Sequence, residues 1–166
     1  LMQHCARCGA PVRVEHGRAC RCLHCDFLLF FNVGAATAAI IEDPAGRLLF
    51  TVRAHDPGKG TLDLPGGFIE PDETAEEAIA REIEEELSVS VDDLRFFCTV
   101  PNRYLFSGVL YHTLDVIFLG ILPENTKLRP ADDVTDCFWL EKKDVHLERI
   151  GLDAARRALT KYFRTN

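Results

Sequence analysis

The amino-acid sequence predicts an α/β fold with a mixed β-sheet, preceded by a small cysteine-rich segment. Two Cys-x-x-Cys pairs lie within residues 5–25, and apolar runs separated by turn residues follow from residue 34 onward. A chain of 166 residues, of which 47% are hydrophobic, can bury one ordinary core. We therefore expect a principal domain over 33–166 and an appendage over 2–32, with the boundary near residues 27–33.

The first elements of the principal domain have the pattern of a β-hairpin. Apolar runs at 35–41 and 48–52 flank a turn that contains Pro44 and Gly46, which are common turn residues. A glycine-containing loop follows at residues 55–60. This pattern predicts two antiparallel strands at the start of the sheet.

The clearest helical pattern covers residues 75–87. Thr74 is followed three residues later by Glu77, which is the spacing of a capping box, and good helix formers continue without glycine or proline. Two segments rich in aromatic and β-branched residues, 94–106 and 109–121, then flank a Ser-Gly dipeptide. They predict a second, longer hairpin.

The end of the chain supplies one more strand and one more helix. Residues 137–140 have the pattern of a short strand, and apolar residues at helical spacing predict a helix over 152–163. We expect this helix to close one face of the sheet. The order of strands and helices is typical of an α/β domain with a mixed sheet.

The chain is acidic, and its negative charge is concentrated in one segment. The formal net charge is −7, and residues 70–86 contain nine carboxylates against Arg81 alone. An acidic protein repels nucleic-acid backbones and no Lys/Arg run supplies a basic face, so we expect a small anionic ligand and no nucleic-acid polymer. Neither a charged-then-apolar leader nor an apolar stretch of about 18 residues is visible. We therefore expect a cytoplasmic protein with no membrane partner.

The cysteine-rich segment has the spacing of a structural zinc site. Cys5 and Cys8 form one Cys-x-x-Cys pair and Cys22 and Cys25 the other, thirteen residues apart. Four thiolates fit a tetrahedral Zn²⁺, and such a closed site has no open position for catalysis. Cys20 is a competing ligand, and reduced structural or redox cysteines are the alternative interpretation. We expect a small zinc ribbon that folds around its metal.

Three carboxylates of the predicted helix share one face. Glu82, Glu85 and Glu86 are spaced i, i+3 and i+4, whereas Glu84 points away. At a separation of about 5 Å and an effective dielectric constant of about 20, each like-charged pair costs on the order of 3 kcal/mol. A cation or protonation relieves this repulsion, and hard oxygen ligands suit Mg²⁺ or Mn²⁺. On composition alone, a solvated acidic face is the alternative.

The residues around this helix favour the metal site. A Leu-Pro-Gly-Gly loop precedes the helix, and the backbone of Gly66 can approach a metal closely and lend its carbonyl oxygen. Loop and helix together resemble the Nudix box, G-x5-E-x7-R-E-U-x-E-E-x-G-U with U aliphatic. The matching residues are Gly67, Glu73, Arg81, Glu82, Ile83, Glu85, Glu86 and Val89. The last glycine of the box is Ser88 here, where we expect a positive φ at a cost of about 1 kcal/mol.

The resemblance extends over roughly residues 33–165 and implies a Nudix αβα sandwich and a hydrolase that needs Mg²⁺ or Mn²⁺. It implies that Glu82 and Glu86 are the core metal ligands and that Glu85 helps to bind metal or position water. Glu73 and Arg81 are implied to form a supporting ion pair.

The resemblance also implies a further carboxylate in the loop before a late Trp-containing strand. Asp133 lies six residues before Trp139 and matches that place, with Asp136 as the runner-up. The implied reaction is hydrolysis of a diphosphate by metal-activated water, with a carboxylate as general base. The choice of base stays open between Glu82, Glu85 and Asp133.

The sequence predicts the type of reaction more specifically than it predicts the substrate. A zinc ribbon before a Nudix domain resembles the NADH pyrophosphatase family, but the Ser-Gln-Pro-Trp signature of that family is absent from residues 100–106. We therefore expect a nucleoside diphosphate linked to a small moiety, such as ADP-ribose or a sugar nucleotide, with NADH as the alternative. Arg53, Arg103, Tyr104 and Tyr111 are candidates to bind a phosphate or stack on a base, or else ordinary strand residues.

A protein of another class is a further alternative. A non-catalytic Nudix-like nucleotide sensor or a zinc-ribbon adaptor would bind its ligand or partner without turnover. Loss of a box carboxylate would indicate such a protein, and all of them are present. The family resemblance also implies a homodimer.

Overall fold

The computed structural model describes residues 2–123 and 125–165 and contains two compact units. The first unit is Leu1–Val33 and the second is Gly34–Asn166. The division follows the change in composition from a cysteine-rich segment to long apolar runs.

The first unit is a three-stranded antiparallel sheet. Its strands are β1 (Val12–Glu15), β2 (Ala19–Cys22) and β3 (Leu28–Phe30). The turn between β1 and β2 places His16 and Gly17 at φ 50° and 67°, and consecutive positive φ values match the twist of a hairpin. Because Val12 pairs with Cys22, the loop before β1, which carries Cys5 and Cys8, lies beside the end of β2. There Cys22 is the last residue of the strand, and Cys25 is in the loop that follows.

The second unit combines a six-stranded mixed sheet with two α-helices among its described residues. Its strands are β4 (Gly34–Glu42), β5 (Leu48–Arg53), β6 (Leu62–Asp63), β7 (Arg95–Phe106), β8 (Val109–Ile121) and β9 (Val134–Leu140), and its helices are α1 (Ala75–Leu87) and α2 (Asp153–Thr165). Short 3-10 turns at Lys142–Asp144 and Leu147–Arg149 precede α2. The strand order is β6-β5-β4-β8-β7, with β9 paired to β5. Strands β4 and β8 are parallel, and the other pairs are antiparallel.

The two predicted hairpins differ in how far their strands stay paired. Strands β7 and β8 pair from Arg95 opposite Leu119 to Phe106 opposite Val109, which confirms the longer hairpin. Strands β4 and β5 pair only beside their turn, at Glu42 and Leu48, so this hairpin opens away from the turn.

The loop after β6 occupies the space beside β4 that β5 leaves open. Thr37 N–H donates to the Gly67 carbonyl at 2.8 Å, and Ala39 N–H donates to the Pro65 carbonyl at 3.0 Å. Gly66 has φ 143°, and a Cβ atom there would collide with the Thr37 backbone. Only glycine permits this approach. The approach places the loop beside the part of β4 that does not pair with β5.

The ends of helix α1 are stabilised as the sequence predicts. The Thr74 side chain accepts a hydrogen bond from Glu77 N–H at 3.2 Å, and the Glu77 side chain accepts one from Thr74 N–H at 2.8 Å. Ser88 caps the other end in the left-handed conformation, with φ 55° and ψ 40°. The capping box and the positive φ of Ser88 are both confirmed.

Apolar side chains fill both faces of the sheet. Ile40 and Phe50 pack with α2 on one face, while Ile41 and Leu49 pack with α1 on the other. Neighbouring residues separate in this way because side chains alternate along a strand. The unit is therefore an αβα sandwich with a mixed sheet, as predicted. Among the described residues, no helix is both long enough and apolar enough to cross a membrane.

Candidate active site

A cavity of about 390 Å³ lies in the second unit. It is lined by α1, by the Leu-Pro-Gly-Gly loop at residues 64–67, here called the glycine loop, and by residues of the sheet strands. Eight carboxylates line it, namely Asp63, Glu70, Glu82, Glu85, Glu86, Asp115, Asp132 and Asp133. The positively charged residues among its described lining are Arg53 and Arg81. This excess of negative charge repels a phosphate group unless cations accompany it.

Glu86 is the most deeply buried carboxylate of the α1 face, with 6% of its surface exposed. Burial raises the pKa of Glu86 to about 8, although the Gly66 N–H, which donates to Glu86 Oε2 at 3.1 Å, opposes the rise. The charges of Glu82, Asp63 and Asp133 raise the pKa further. A bound cation would reverse this effect because it favours the ionised form.

Arg81 connects the carboxylates of the cavity. Its guanidinium donates to both oxygens of Glu73, at 2.8 and 3.0 Å, and to Glu82 Oε1 and Glu85 Oε2, each at 2.9 Å. These hydrogen bonds, with that to Glu73 the largest, raise the pKa of Arg81. The Arg81 hydrogen bonds in turn lower the pKa of Glu73. The two residues therefore form a two-point ion pair, and the same guanidinium also binds Glu82 and Glu85.

Glu82 lies directly against the glycine loop. A Cβ atom at Gly67 would collide with the Glu82 carboxylate, so the loop and the carboxylate fit together only because residue 67 is glycine. Burial raises the pKa of Glu82 even though Arg81 lowers it. Glu82 is thus a desolvated carboxylate on the same cavity wall as Glu86.

The carboxylates of Glu82, Glu85 and Glu86 line one cavity, but their oxygen atoms do not form a compact group of metal ligands. Within residues 2–123 and 125–165, the four-cysteine cluster is the group of potential metal ligands whose atoms all lie within 4.8 Å of one another. Arg81 pulls Glu82 and Glu85 to one side, whereas Glu86 turns to Gly66. Closure around a cation therefore requires rotation of these side chains, and the 47% exposed Glu85 side chain has room to rotate.

Gly66 offers a backbone oxygen at the same wall. The carbonyls of Pro65 and Gly67 accept hydrogen bonds from β4, and among the described residues no hydrogen bond ends on the Gly66 carbonyl. Its N–H contacts Glu86. An unused carbonyl oxygen beside a carboxylate is a suitable ligand for a hard cation.

Asp133 lines the cavity, whereas Asp136 lies outside it on β9. The Asp133 side chain is 73% exposed, and its Oδ1 atom lies 3.6 Å from His55 Nε2. Its charge contributes to the raised pKa of Glu86. Asp133 is thus an exposed carboxylate at the edge of the cavity.

Two of the four predicted substrate-binding residues line the cavity. Arg53 donates to Asp63 Oδ2 at 2.8 Å and to the Pro57 carbonyl at 2.7 Å. Tyr104 packs edge-to-face against Phe68, with ring centroids 5.9 Å apart, and both rings line the cavity. The pair presents aromatic surface to a flat ligand.

The other two predicted residues lie outside the cavity. Arg103 is exposed and follows Asn102, which is buried in the cavity wall. Successive side chains of a strand point to opposite faces, so Arg103 and Tyr104 cannot both face the cavity. Tyr111 pairs with Tyr104 across β7 and β8, but it is exposed and is not part of the cavity lining.

Sequence reasoning missed six buried polar residues of the cavity wall. They are Thr37, Thr51, Asp63, Asn102, Thr113 and Asp115. The signal that could have found the two aspartates is a single carboxylate inside an apolar run, as in Leu-Asp-Leu and Leu-Asp-Val-Ile-Phe. Such a residue faces either solvent or a polar cavity, and only the tertiary structure decides which.

In the first unit, the sulfur atoms of Cys5, Cys8, Cys22 and Cys25 come together. All four lie within 4.8 Å of one another, and Cys20 is outside the group. The N–H groups of Cys25 and His24 donate to Cys22 Sγ at 3.3 Å, and the Cys25 N–H contributes most to lowering the pKa of Cys22 to about 6. This cluster can hold a metal ion.

Comparison with known proteins places the chain in a family. The sequence model of the NUDIX domain matches residues 33–163. An ADP-ribose pyrophosphatase of Methanocaldococcus jannaschii is 43% identical over 118 residues, covering 69% of this chain and 66% of that protein. The NAD-capped RNA hydrolase NudC of Deinococcus radiodurans is 28% identical over 160 residues, covering 95% of this chain and 55% of that protein. The chain spans about half the length of the NudC relatives that it matches.

Solved structures agree with this assignment at the level of the fold. A NUDIX hydrolase from Nitrosomonas europaea has a TM-score of 0.78 at 22% identity, covering 99% of this chain and 92% of that one. The NUDIX domain of Shewanella oneidensis NrtR, solved with ADP ribose, has a TM-score of 0.68 at 22% identity, covering 82% of this chain and 91% of that one. The resemblance found in the sequence is confirmed, and the chain belongs to the NUDIX domain family.

Proposed function

We propose that the chain is a pyrophosphohydrolase that uses Mg²⁺ or Mn²⁺ to split the diphosphate of a nucleoside diphosphate linked to a small moiety. The observation that carries this proposal is the buried Glu86 carboxylate, which shares its cavity with Glu82 and Glu85. A cavity lined by eight carboxylates and two arginines accepts a diphosphate only when cations balance its charge.

The proposed roles follow from the contacts of each residue. Glu82, Glu86 and the Gly66 carbonyl are the proposed cation ligands, and Arg81 positions Glu82 through its 2.9 Å hydrogen bond. A divalent cation supplies charge neutralisation and a more acidic water molecule when it is bound. Glu85 and Asp133 are the more exposed carboxylates and are the proposed acceptors of the proton of the attacking water.

ADP-ribose is the leading substrate. The supporting relative is the ADP-ribose pyrophosphatase of Methanocaldococcus jannaschii, at 43% identity. The aromatic pair of Tyr104 and Phe68 in the cavity lining offers a surface for an adenine ring. Arg53 is a further proposed substrate contact, because it lines the same cavity.

Cleavage of NADH or a related dinucleotide is the second candidate. Two observations favour it: the cysteine cluster precedes the catalytic unit, and the similarity to NudC extends over 95% of this chain. That relative is named for NAD-capped RNA, so a capped RNA belongs in the comparison although the chain as a whole is acidic. A non-catalytic sensor is less well supported, because every carboxylate of the box is present.

We further propose that residues 2–32 form a zinc ribbon and residues 33–166 the hydrolase domain. In a tetrahedral Zn²⁺ site with Zn–S bonds of about 2.3 Å, the sulfurs are about 3.8 Å apart. The Cys5–Cys25 and Cys8–Cys22 sulfur distances are 3.8 and 3.5 Å, which supports zinc. Elemental analysis should find one zinc per chain and its loss in Cys22→Ser, and a wild-type protein without zinc would refute the proposal.

The substrate is tested by measuring kcat/KM with Mg²⁺ for ADP-ribose, NADH, NAD-capped RNA, a sugar nucleotide and nucleoside triphosphates. The Glu86→Gln variant, purified in the same way, sets the background. We expect ADP-ribose to exceed the other compounds by about tenfold or more. A tenfold preference for NADH would favour the second candidate, and tight ADP-ribose binding without turnover would identify a sensor.

A further inference from the structure

Asp115 on β8 is a carboxylate of the cavity wall that lies outside the Nudix box. It is 8% exposed, and burial raises its pKa. The two arginines of the lining are engaged elsewhere, Arg53 with Asp63 and Arg81 with the carboxylates of Glu73, Glu82 and Glu85. A buried carboxylate without a cationic partner is unfavourable unless hydrogen-bond donors surround it.

The protein supplies only part of the hydrogen bonding that this carboxylate can accept. Thr113 Oγ1 donates to Asp115 Oδ1 at 2.6 Å, and Asn102 Nδ2 lies 3.5 Å from Asp115 Oδ2. The Asn102 side-chain oxygen accepts from Arg103 N–H at 2.8 Å, which fixes the amide so that its NH₂ group faces Asp115. A carboxylate has about four acceptor positions. Positions therefore remain for donors from a ligand in the cavity.

The groups along the cavity follow the order of the parts of a nucleotide, which are phosphate, ribose and base. Gly66 of the proposed cation site approaches Thr37 and Ala38 on β4. Asp115 pairs with Ala36 on the same strand, so it lies farther along the sheet than the contact with Gly66. Thr113, which pairs with Asn102, lies one step farther still. Asn102 and Tyr104 face the same side of β7, about 7 Å apart at the usual rise of a strand. From the cation site outward, the cavity thus presents carboxylates, then Asp115 with Asn102, then an aromatic ring.

We infer that Asp115, oriented by Thr113 and Asn102, forms a subsite that accepts the 2′- and 3′-hydroxyl groups of the nucleoside ribose. The inference rests on the proposed function and deepens it, because it assigns the sugar next to the phosphates to a specific residue. A vicinal diol offers two donors to the two carboxylate oxygens. A phosphate offers no donor and is repelled, so Asp115 also sets the direction in which the substrate enters.

The test compares ADP-ribose with an analogue whose adenosine lacks the 2′- and 3′-hydroxyls. Wild-type protein should prefer ADP-ribose by about tenfold or more in kcat/KM, because a site built to bind hydroxyls leaves its own groups unpaired with the analogue. In Asp115→Asn the preference should fall to within about threefold, mainly through loss of activity on ADP-ribose. The control Asp92→Asn removes the same charge from an exposed residue outside the cavity lining and should keep the wild-type preference.

Thr113→Val is the second variant and should reduce the preference while leaving the charge of Asp115 in place. An unchanged preference in Asp115→Asn, with or without equal losses of activity on both substrates, would overturn the inference. Equilibrium binding of AMP and 2′,3′-dideoxy-AMP in the presence of Mg²⁺ separates this result from the proposed function. If ADP-ribose is not hydrolysed, the proposed function fails, yet binding of AMP about tenfold tighter than dideoxy-AMP would still support the subsite. Equal binding of the two nucleotides by wild-type protein would refute it.

Discussion

The substitution Glu86→Gln is expected to stabilise the protein in the absence of divalent cations while it removes activity. Burial raises the pKa of Glu86 from 4.5 to about 8, and a tenfold change in proton affinity corresponds to about 1.4 kcal/mol. The ionised side chain therefore costs the folded protein up to about 5 kcal/mol, and relaxation of its surroundings reduces this to about 2–3 kcal/mol.

The direction of the pH dependence follows from the raised pKa. Between pH 4.5 and 8 the folded protein holds the Glu86 proton and the unfolded chain releases it, so stability falls as the pH rises through this window. Glutamine cannot ionise. The variant should therefore exceed wild type by about 2–3 kcal/mol in free energy of unfolding at pH 8 and equal it at pH 4.

The assay combines urea denaturation in Mg²⁺-free buffer at the two pH values with turnover of ADP-ribose in Mg²⁺. Loss of a metal ligand should lower kcat/KM by about 100-fold or more. Glu84→Gln removes the same charge from an exposed position of α1 and should leave activity within about threefold and stability unchanged. Equal losses of activity in the two variants, or a less stable Glu86→Gln protein at pH 8, would refute this assignment.

Three further substitutions test the surroundings of the site. Ser88→Gly should raise the free energy of unfolding by about 1 kcal/mol, because Ser88 has φ 55°; urea denaturation showing no gain would contradict this. Gly67→Ala should lower kcat/KM at least tenfold with an unchanged circular dichroism spectrum, because its Cβ atom meets the Glu82 carboxylate; wild-type activity would mean that Glu82 is not a ligand. Asp133→Asn should lower kcat by about tenfold or more and Asp136→Asn should not, because only Asp133 lines the cavity; the reverse order would assign the late carboxylate to Asp136.

Local features of the fold could be predicted because their causes are local. The capping box of Thr74 and Glu77 satisfies helix N–H groups within one turn. The left-handed conformation of Ser88 follows from its place after the last helical turn. The spacing of the box also determined which carboxylates share a face of α1, because helix geometry alone sets that relation.

Features that depend on pairing between distant segments could not be predicted. The first hairpin opens because the segment around Gly66 takes the hydrogen bonds of β4 that β5 would otherwise use. Arg103 and Tyr104 are neighbours in the sequence, yet the register of β7 turns only Tyr104 to the cavity. In the sequence, Asp115 resembles an ordinary strand residue. Its place in the cavity wall depends on the pairing of β8 with β4 and β7.

The most direct test of the central claim is ³¹P NMR of the ADP-ribose reaction in ¹⁸O-labelled water. We predict that Mg²⁺ leads to equal amounts of AMP and ribose 5-phosphate, because water cleaves the P–O–P bridge and adds its oxygen to one phosphorus. One product should carry a single ¹⁸O atom, and no product should form without a divalent cation or with Glu86→Gln. Release of inorganic phosphate, or equal turnover in the absence of divalent cations, would contradict the claim that the Glu82 and Glu86 face of α1 is a metal-dependent pyrophosphohydrolase site.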